Sequence, residues 1–183
     1  MRVLGISGSL RRDSYNTKLL RAAGELLLDD VEFVIWDGLK AVPPYDEDDE
    51  ADPPAGVAEL RDAVAGADAI LFATPEYNGS VPGQLKNAID WASRPKRSAA
   101  LLNKPVAVVG ASTGMFGAMW AQAELRKILK TAGARVAEGE FAVPRCQLVF
   151  DESGRLTDDG VRRELAEVVY GLLDELAPLA VAA

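Results

Sequence analysis

ADAILFATPEYNGSVPGQLKNAIDWA, residues 67–92, holds a whole strand–loop–helix unit. Ala67–Ala73 is a nearly continuous apolar run, the pattern of a strand buried on both faces. Thr74 to Pro82 is polar and turn-rich, and Pro82 is well placed to start a helix over Gly83–Ala92. The unit recurs on both sides. Arg2–Ser7 reads as a strand followed by a helix from about Asn16 to Leu28, Val31–Trp36 as the second strand, and Gly56–Ala65 as a helix. Pro105–Gly110 is a fourth strand, followed by a helix from about Gly117 to Thr131 that stops at Gly133. Ala134–Val143 supplies the fifth strand. Val161, Leu165, Val168, Val169, Leu172, Leu173 and Leu176 keep one face of a last helix apolar, with Thr157 or Asp158 to cap it. Alternating strands and helices predict an α/β fold, a doubly wound five-stranded parallel sheet with helices on both faces. Residues 1–183 read as a single domain. In such sheets a ligand lies outside the carboxyl ends of the strands.

Composition narrows the chemistry. The chain has 183 residues, a net charge of −8, one cysteine (Cys146) and no histidine. The acidic balance argues against nucleic acid as a partner, and no apolar run approaches the roughly 20 residues of a membrane span. The amino terminus does not read as a signal peptide, and a lone cysteine suits a reducing, cytoplasmic setting. Without histidine, His-based triads, His-ligated zinc and a His general base are unavailable.

Three loops fall at the strands' carboxyl ends. The first, Gly8 to Thr17, offers hydroxyls at Ser9, Ser14 and Thr17, the Asn16 amide and one or two guanidiniums from Arg11-Arg12 ahead of a helix N-terminus. That set suits a phosphate, although a polar turn capping a helix is the plainer alternative. It matches neither the Walker A pattern nor G-x-G-x-x-G. The second loop, Thr74 to Gly83, can flank a flat heteroaromatic ring; Asn78-Gly79 reads equally as a turn, and Asn78-Gly79-Ser80 fits a glycosylation sequon that is set aside because nothing points to a secretory route. The third runs Gly110-Ala111-Ser112-Thr113-Gly114-Met115-Phe116-Gly117. It spells a G-x-S-x-G nucleophile elbow, but Ser112 has no histidine to act as its base, so a Gly-rich loop giving backbone N–H groups to a ligand is preferred. Together the loops describe a mononucleotide pocket.

Ser7-Gly8-Ser9-Leu10-Arg11 with Ser14 and Asn16, and Pro75-Glu76-Tyr77-Asn78-Gly79-Ser80-Val81-Pro82-Gly83-Gln84-Leu85-Lys86-Asn87-Ala88-Ile89-Asp90-Trp91, closely resemble the NAD(P)H-dependent FMN reductase family of flavodoxin-like quinone, chromate and azo-dye reductases. The resemblance spans residues 1 to about 145. It implies FMN as cofactor and NAD(P)H as co-substrate, with hydride passing through the flavin to a quinone, free flavin, azo compound or metal oxyanion. It places the phosphate on Ser9, Arg11, Ser14, Tyr15, Asn16 and Thr17. The isoalloxazine falls against Pro75, Glu76, Tyr77 and Asn78, with Ser112, Thr113 and Gly114 along its other edge. Where the family often has two glycines near position 117, this chain has Gly117-Ala118. No residue is assigned as acid or base. The resemblance also implies a homodimer or homotetramer; Trp91 and Trp120, on helices beside the pocket loops, read as core or subunit-contact residues. The alternatives are a flavodoxin-type electron carrier without NAD(P)H activity, and a hydrolase built on Ser112. Asp46–Asp52, six carboxylates in seven positions, reads as a solvated loop rather than a cation site, and Cys146 as inert.

Overall fold

In a computed structural model the described residues are 1–176; the last seven of the expected domain lie outside them. The strands are β1 (Arg2–Ser7), β2 (Glu32–Trp36), β3 (Ala69–Ala73), β4 (Pro105–Ala111), β5 (Arg135–Val136) and β6 (Ala142–Val143), all pairing in parallel. The helices are α1 (Tyr15–Gly24), α2 (Ala55–Ala65), α3 (Gly83–Ala92), α4 (Met119–Thr131) and α5 (Asp159–Asp174). Asp158, rather than Thr157, caps α5 by accepting from the Val161 amide at 2.9 Å.

The sheet order is β2-β1-β3-β4-β5, so the chain reverses its direction of winding between β1 and β3. Strand alternation then builds two cores. Leu4, Ile6, Ile70, Phe72, Val106 and Val108 meet α2, α3 and α4 on one face. Val3, Leu71, Ala107 and Val109 meet α1 and α5 on the other.

The fifth strand corrects the expectation of one continuous element. It is broken into β5 and β6, both on the same side of β4, making six strands. Glu138, Gly139 and Glu140 between them are exposed, and Gly139 has φ +111°. Arg126 of α4 fills the gap. Its guanidinium donates to Val108 O at 3.2 Å and Ala137 O at 2.9 Å, satisfying the β4 carbonyl that a continuous strand would have paired. Two charged side chains are thereby kept out of the sheet.

Of the two places expected for Trp91, core or subunit contact, the structure puts it in the core. It is fully buried, and its indole N–H donates to Pro43 O at 3.0 Å. Asn87 donates to the same carbonyl and accepts from the Tyr45 amide, while Gln84 donates to Leu39 O and Val42 O. The Gln84…Asn87…Trp91 spacing is thus one face of α3 clamping the segment after β2. The acidic loop is partly ordered: Asp46 caps a short 3-10 turn, and Glu50 accepts from the Tyr45 hydroxyl and pairs with Arg94.

Candidate active site

The three loops meet at the carboxyl ends of β1, β3 and β4 around an open cleft of about 530 Å³, its mouth included. Of the expected residues, Ser9, Arg11, Ser14, Tyr15, Asn16, Pro75, Glu76, Tyr77, Ser112 and Thr113 line it. Thr17, Asn78 and Gly114 do not. Ala111 and Cys146 line it as well, and sequence reasoning missed both. Ala111 carries no polar side chain to notice, and Cys146 reaches the floor only because β6 leads the chain back beside Ser112.

At one end, the Gly8 amide donates to Ala73 O at 2.8 Å, which turns the first loop over the end of β3. Ser14 caps α1 by accepting from the Thr17 amide at 3.4 Å. The Thr17 hydroxyl donates to Ser7 Oγ at 3.0 Å, tying the helix to the strand beneath the loop. The Tyr15 and Asn16 amides start the helix with no acceptor among the described residues, and Arg11 has no ion-pair partner among them. By contrast Lys18 pairs with Asp13 at 2.6 Å, and its hydrogen bond holds that exposed carboxyl below its usual range. Arg12 has no ion-pair partner among the described residues either, but only Arg11 lines the cleft, and this end has the chemistry of a phosphate site.

Asn16 has a different part from the one its residue type suggests. Its side chain is buried, donating to Ala111 O at 3.0 Å and accepting from Ala111 N at 3.0 Å. The β3–β4 pairing ends at Ala73↔Val109, and Ala111, two residues on, faces the same way. Asn16 thus stands where a further residue of β3 would pair. Its backbone N–H has no acceptor among the described residues.

The other end has two walls. Tyr77 and Ser80 bridge through backbone bonds of 3.1 Å each way, with Asn78 at φ +54° and Gly79 at φ +74° between them. Asn-Gly is therefore a tight hairpin turn, where left-handed backbone favours these two residues. The Glu76 carboxylate turns away to α4, accepting from the Trp120 and Ala121 amides at 3.1 Å each. It supplies the cap that Ala118 cannot.

On the facing wall, Gly117 (φ +57°) lies so close to Val143 N that a Cβ would come within 2.7 Å. Ala118 follows at φ +64°, taking the left-handed conformation at the departure from the family's two glycines. Ser112 Oγ accepts from the Gly114 amide at 3.1 Å, which stiffens the loop. Beneath, Cys146 is buried, and burial pushes its thiol up to about 11, so it is neutral at pH 7. Beside the cleft, Met115, Phe116, Met119 and Trp120 are exposed, with the Phe116 and Trp120 ring centroids 4.8 Å apart.

The sequence and fold that build this cleft are similar to those of known proteins. The sequence profile of NADPH-dependent FMN reductases matches residues 1–147. The NAD(P)H-dependent FMN reductase PA1204 of Pseudomonas aeruginosa is 43% identical over 175 residues, covering 94% of this chain and 93% of its own. A quinone reductase of Pseudomonas putida is 41% identical over 155 residues, covering 84% of this chain and 83% of its own. Among solved structures, the flavoenzyme NAD(P)H:(acceptor) oxidoreductase FerB of Paracoccus denitrificans superposes with a TM-score of 0.84 at 36% identity, covering 96% of each chain. A flavodoxin of Pseudomonas aeruginosa (TM-score 0.60, 18% identity, covering 94% of this chain and 99% of its own) shares the fold. The chain belongs to the NADPH-dependent FMN reductase family.

Proposed function

We propose that the cleft binds FMN and that the chain is an NAD(P)H-dependent reductase of small acceptors, quinones among them, as in the relatives named quinone reductases. The observation that carries the reading is the convergence of Ser9, Arg11, Pro75–Tyr77 and Ser112–Thr113 on one cleft from three distant segments. The residues fit the cofactor. Arg11, the Ser9 hydroxyl and the unpaired amides at the start of α1 would hold the phosphate. The isoalloxazine would lie between Pro75–Tyr77 and Ser112–Thr113, with Glu76 contributing backbone only and Asn78 and Gly114 setting the turns. When bound, the flavin accepts hydride from NAD(P)H and passes reducing equivalents on to the acceptor. The chain's own part is to bind, orient and polarise: the Ser112 and Gly114 amides are engaged within the protein, and the Thr113 amide between them would be offered to the ring edge, where negative charge would develop on reduction.

The working unit is proposed as a homodimer or homotetramer. A second copy covers the exposed Met115, Phe116, Met119 and Trp120 patch and walls the open slot. A reducing cytoplasm and a single domain complete the reading; among the described residues no helix is long and apolar enough to cross a membrane.

Anaerobic NADPH added to the purified yellow protein should bleach its flavin absorbance, and a quinone should restore it. Heat-released cofactor should co-elute with FMN. Recovery of FAD alone, or a flavin that NADPH and NADH leave oxidised, would overturn the proposal; the second outcome would favour the electron carrier. A hydrolase finds no support, because the chain has no histidine to act as a base for Ser112.

A further inference from the structure

The Tyr77–Ser80 hairpin is one wall of the slot, yet its internal bonds do not set its distance from the opposite wall. Two carboxylates do. Glu76, at the entry to the hairpin, reaches across to the amides of Trp120 and Ala121. One turn further along α4, Glu124 reaches back: its Oε2 accepts from the Ser80 hydroxyl at 2.6 Å and from the Val81 amide at 3.1 Å. Both ends of the hairpin are thus held by one helix, and that helix begins where the 112–118 loop ends. Pro82 follows at φ −54° and starts α3, so the exit strand of the hairpin has little slack.

We infer that Glu124 is a positioning residue of the flavin site, holding the Pro75–Val81 wall at a fixed spacing from the Ser112–Ala118 wall by accepting the Ser80 hydroxyl and the Val81 amide. The inference rests on the proposal that FMN lies between these walls. Glu124 does not line the cleft; it lies on the outer groove between α3 and α4, with Lys86 and Lys127 nearby. Its bonds to Ser80 and Val81 favour the ionised carboxylate, and the two lysines add to the effect. Because Glu124 is exposed, these bonds add little to global stability. Their effect is local order, so loss should appear in the hairpin and the site more than in the melting temperature.

Full-length E124A and E124Q, with S80A as a second route to the same contact, test this. Hydrogen exchange at the Ser80 and Val81 amides is measured in apo-protein, FMN affinity by fluorescence quenching, and thermal melting alongside. E124A should speed exchange at Val81 by about tenfold or more and raise the Kd for FMN about five- to twentyfold, with melting shifted by only about 2 °C. E124Q keeps an acceptor oxygen for both donors and should stay within about twofold of the parent. S80A should move both readouts in the same direction by less. An E124A protein with parental FMN affinity overturns the inference, as does an E124Q protein as impaired as E124A. Failure of the parent to bind FMN would instead overturn the proposed function, and the exchange data would still decide whether Glu124 holds the hairpin.

Discussion

Asn16→Ala removes the side chain that joins the start of α1 to the end of β4. In the parent, the Asn16 amide satisfies both the N–H and the C=O of Ala111, each at 3.0 Å, at a site where Asn16 is buried. Alanine leaves two buried backbone groups unpaired. Each costs ~1–3 kcal/mol, so the pair costs ~2–6 kcal/mol, with any water entering the vacated space drawing the value toward the lower end. For a chain of this size ~1 kcal/mol shifts the melting temperature by roughly 2–4 °C. The expected fall is therefore on the order of 5–20 °C, measured on apo-protein by circular dichroism so that cofactor binding does not contribute. Asn16→Asp should not rescue, because its carboxylate can accept from Ala111 N–H but sets an oxygen against Ala111 O. A melting temperature within about 2 °C of the parent in Asn16→Ala, or full rescue by aspartate, would refute the bridging role.

Three further outcomes are expected. Arg11→Ala should weaken FMN binding by about 1.5–3 kcal/mol, roughly ten- to a hundredfold in Kd by fluorescence titration, without lowering the melting temperature of apo-protein; unchanged affinity would remove Arg11 from the phosphate site. Burial raises the Cys146 thiol to about 11 in the folded chain, so its contribution to stability is complete below the ordinary thiol range and is lost as pH rises through that range to about 11, where the unfolded thiol ionises first. Urea midpoints of the parent should fall above pH 9 more steeply than those of Cys146→Ala, and iodoacetamide should label the native thiol slowly at pH 7; rapid labelling would show that the floor of the cleft is open. Trp120→Glu should convert the assembly to monomer in light scattering at micromolar concentration, by placing a charge in the apolar patch; an assembly that stays intact would put the interface elsewhere.

Much of this protein was fixed locally, by patterns that the chain's neighbours in space cannot change. Buried strands such as Ala69–Ala73 demand unbroken apolar runs, and Pro82 starts α3 wherever the sheet lies. The run of strand, polar loop and helix therefore determined the parallel sheet, its two covered faces and the loops that would meet at its carboxyl edge. The P-E-Y-N and S-G-S-L-R segments carried the family, and with it FMN and NAD(P)H, because those loops present backbone and cation in a fixed order. Tertiary structure decided what each polar side chain does. Asn16, Thr17 and Glu76 have the composition of ligand-binding groups, yet each has a protein partner: Ala111, Ser7 and the first turn of α4. Their partners lie 10 to 95 residues away in the chain, so no local pattern identifies them. Arg126 breaking the fifth strand, Cys146 arriving under the cleft and Glu124 meeting Ser80 have the same origin. A donor or acceptor type is written in the sequence, but its partner depends on which segments the fold brings within about 3 Å of each other, and only the assembled sheet and helices set that.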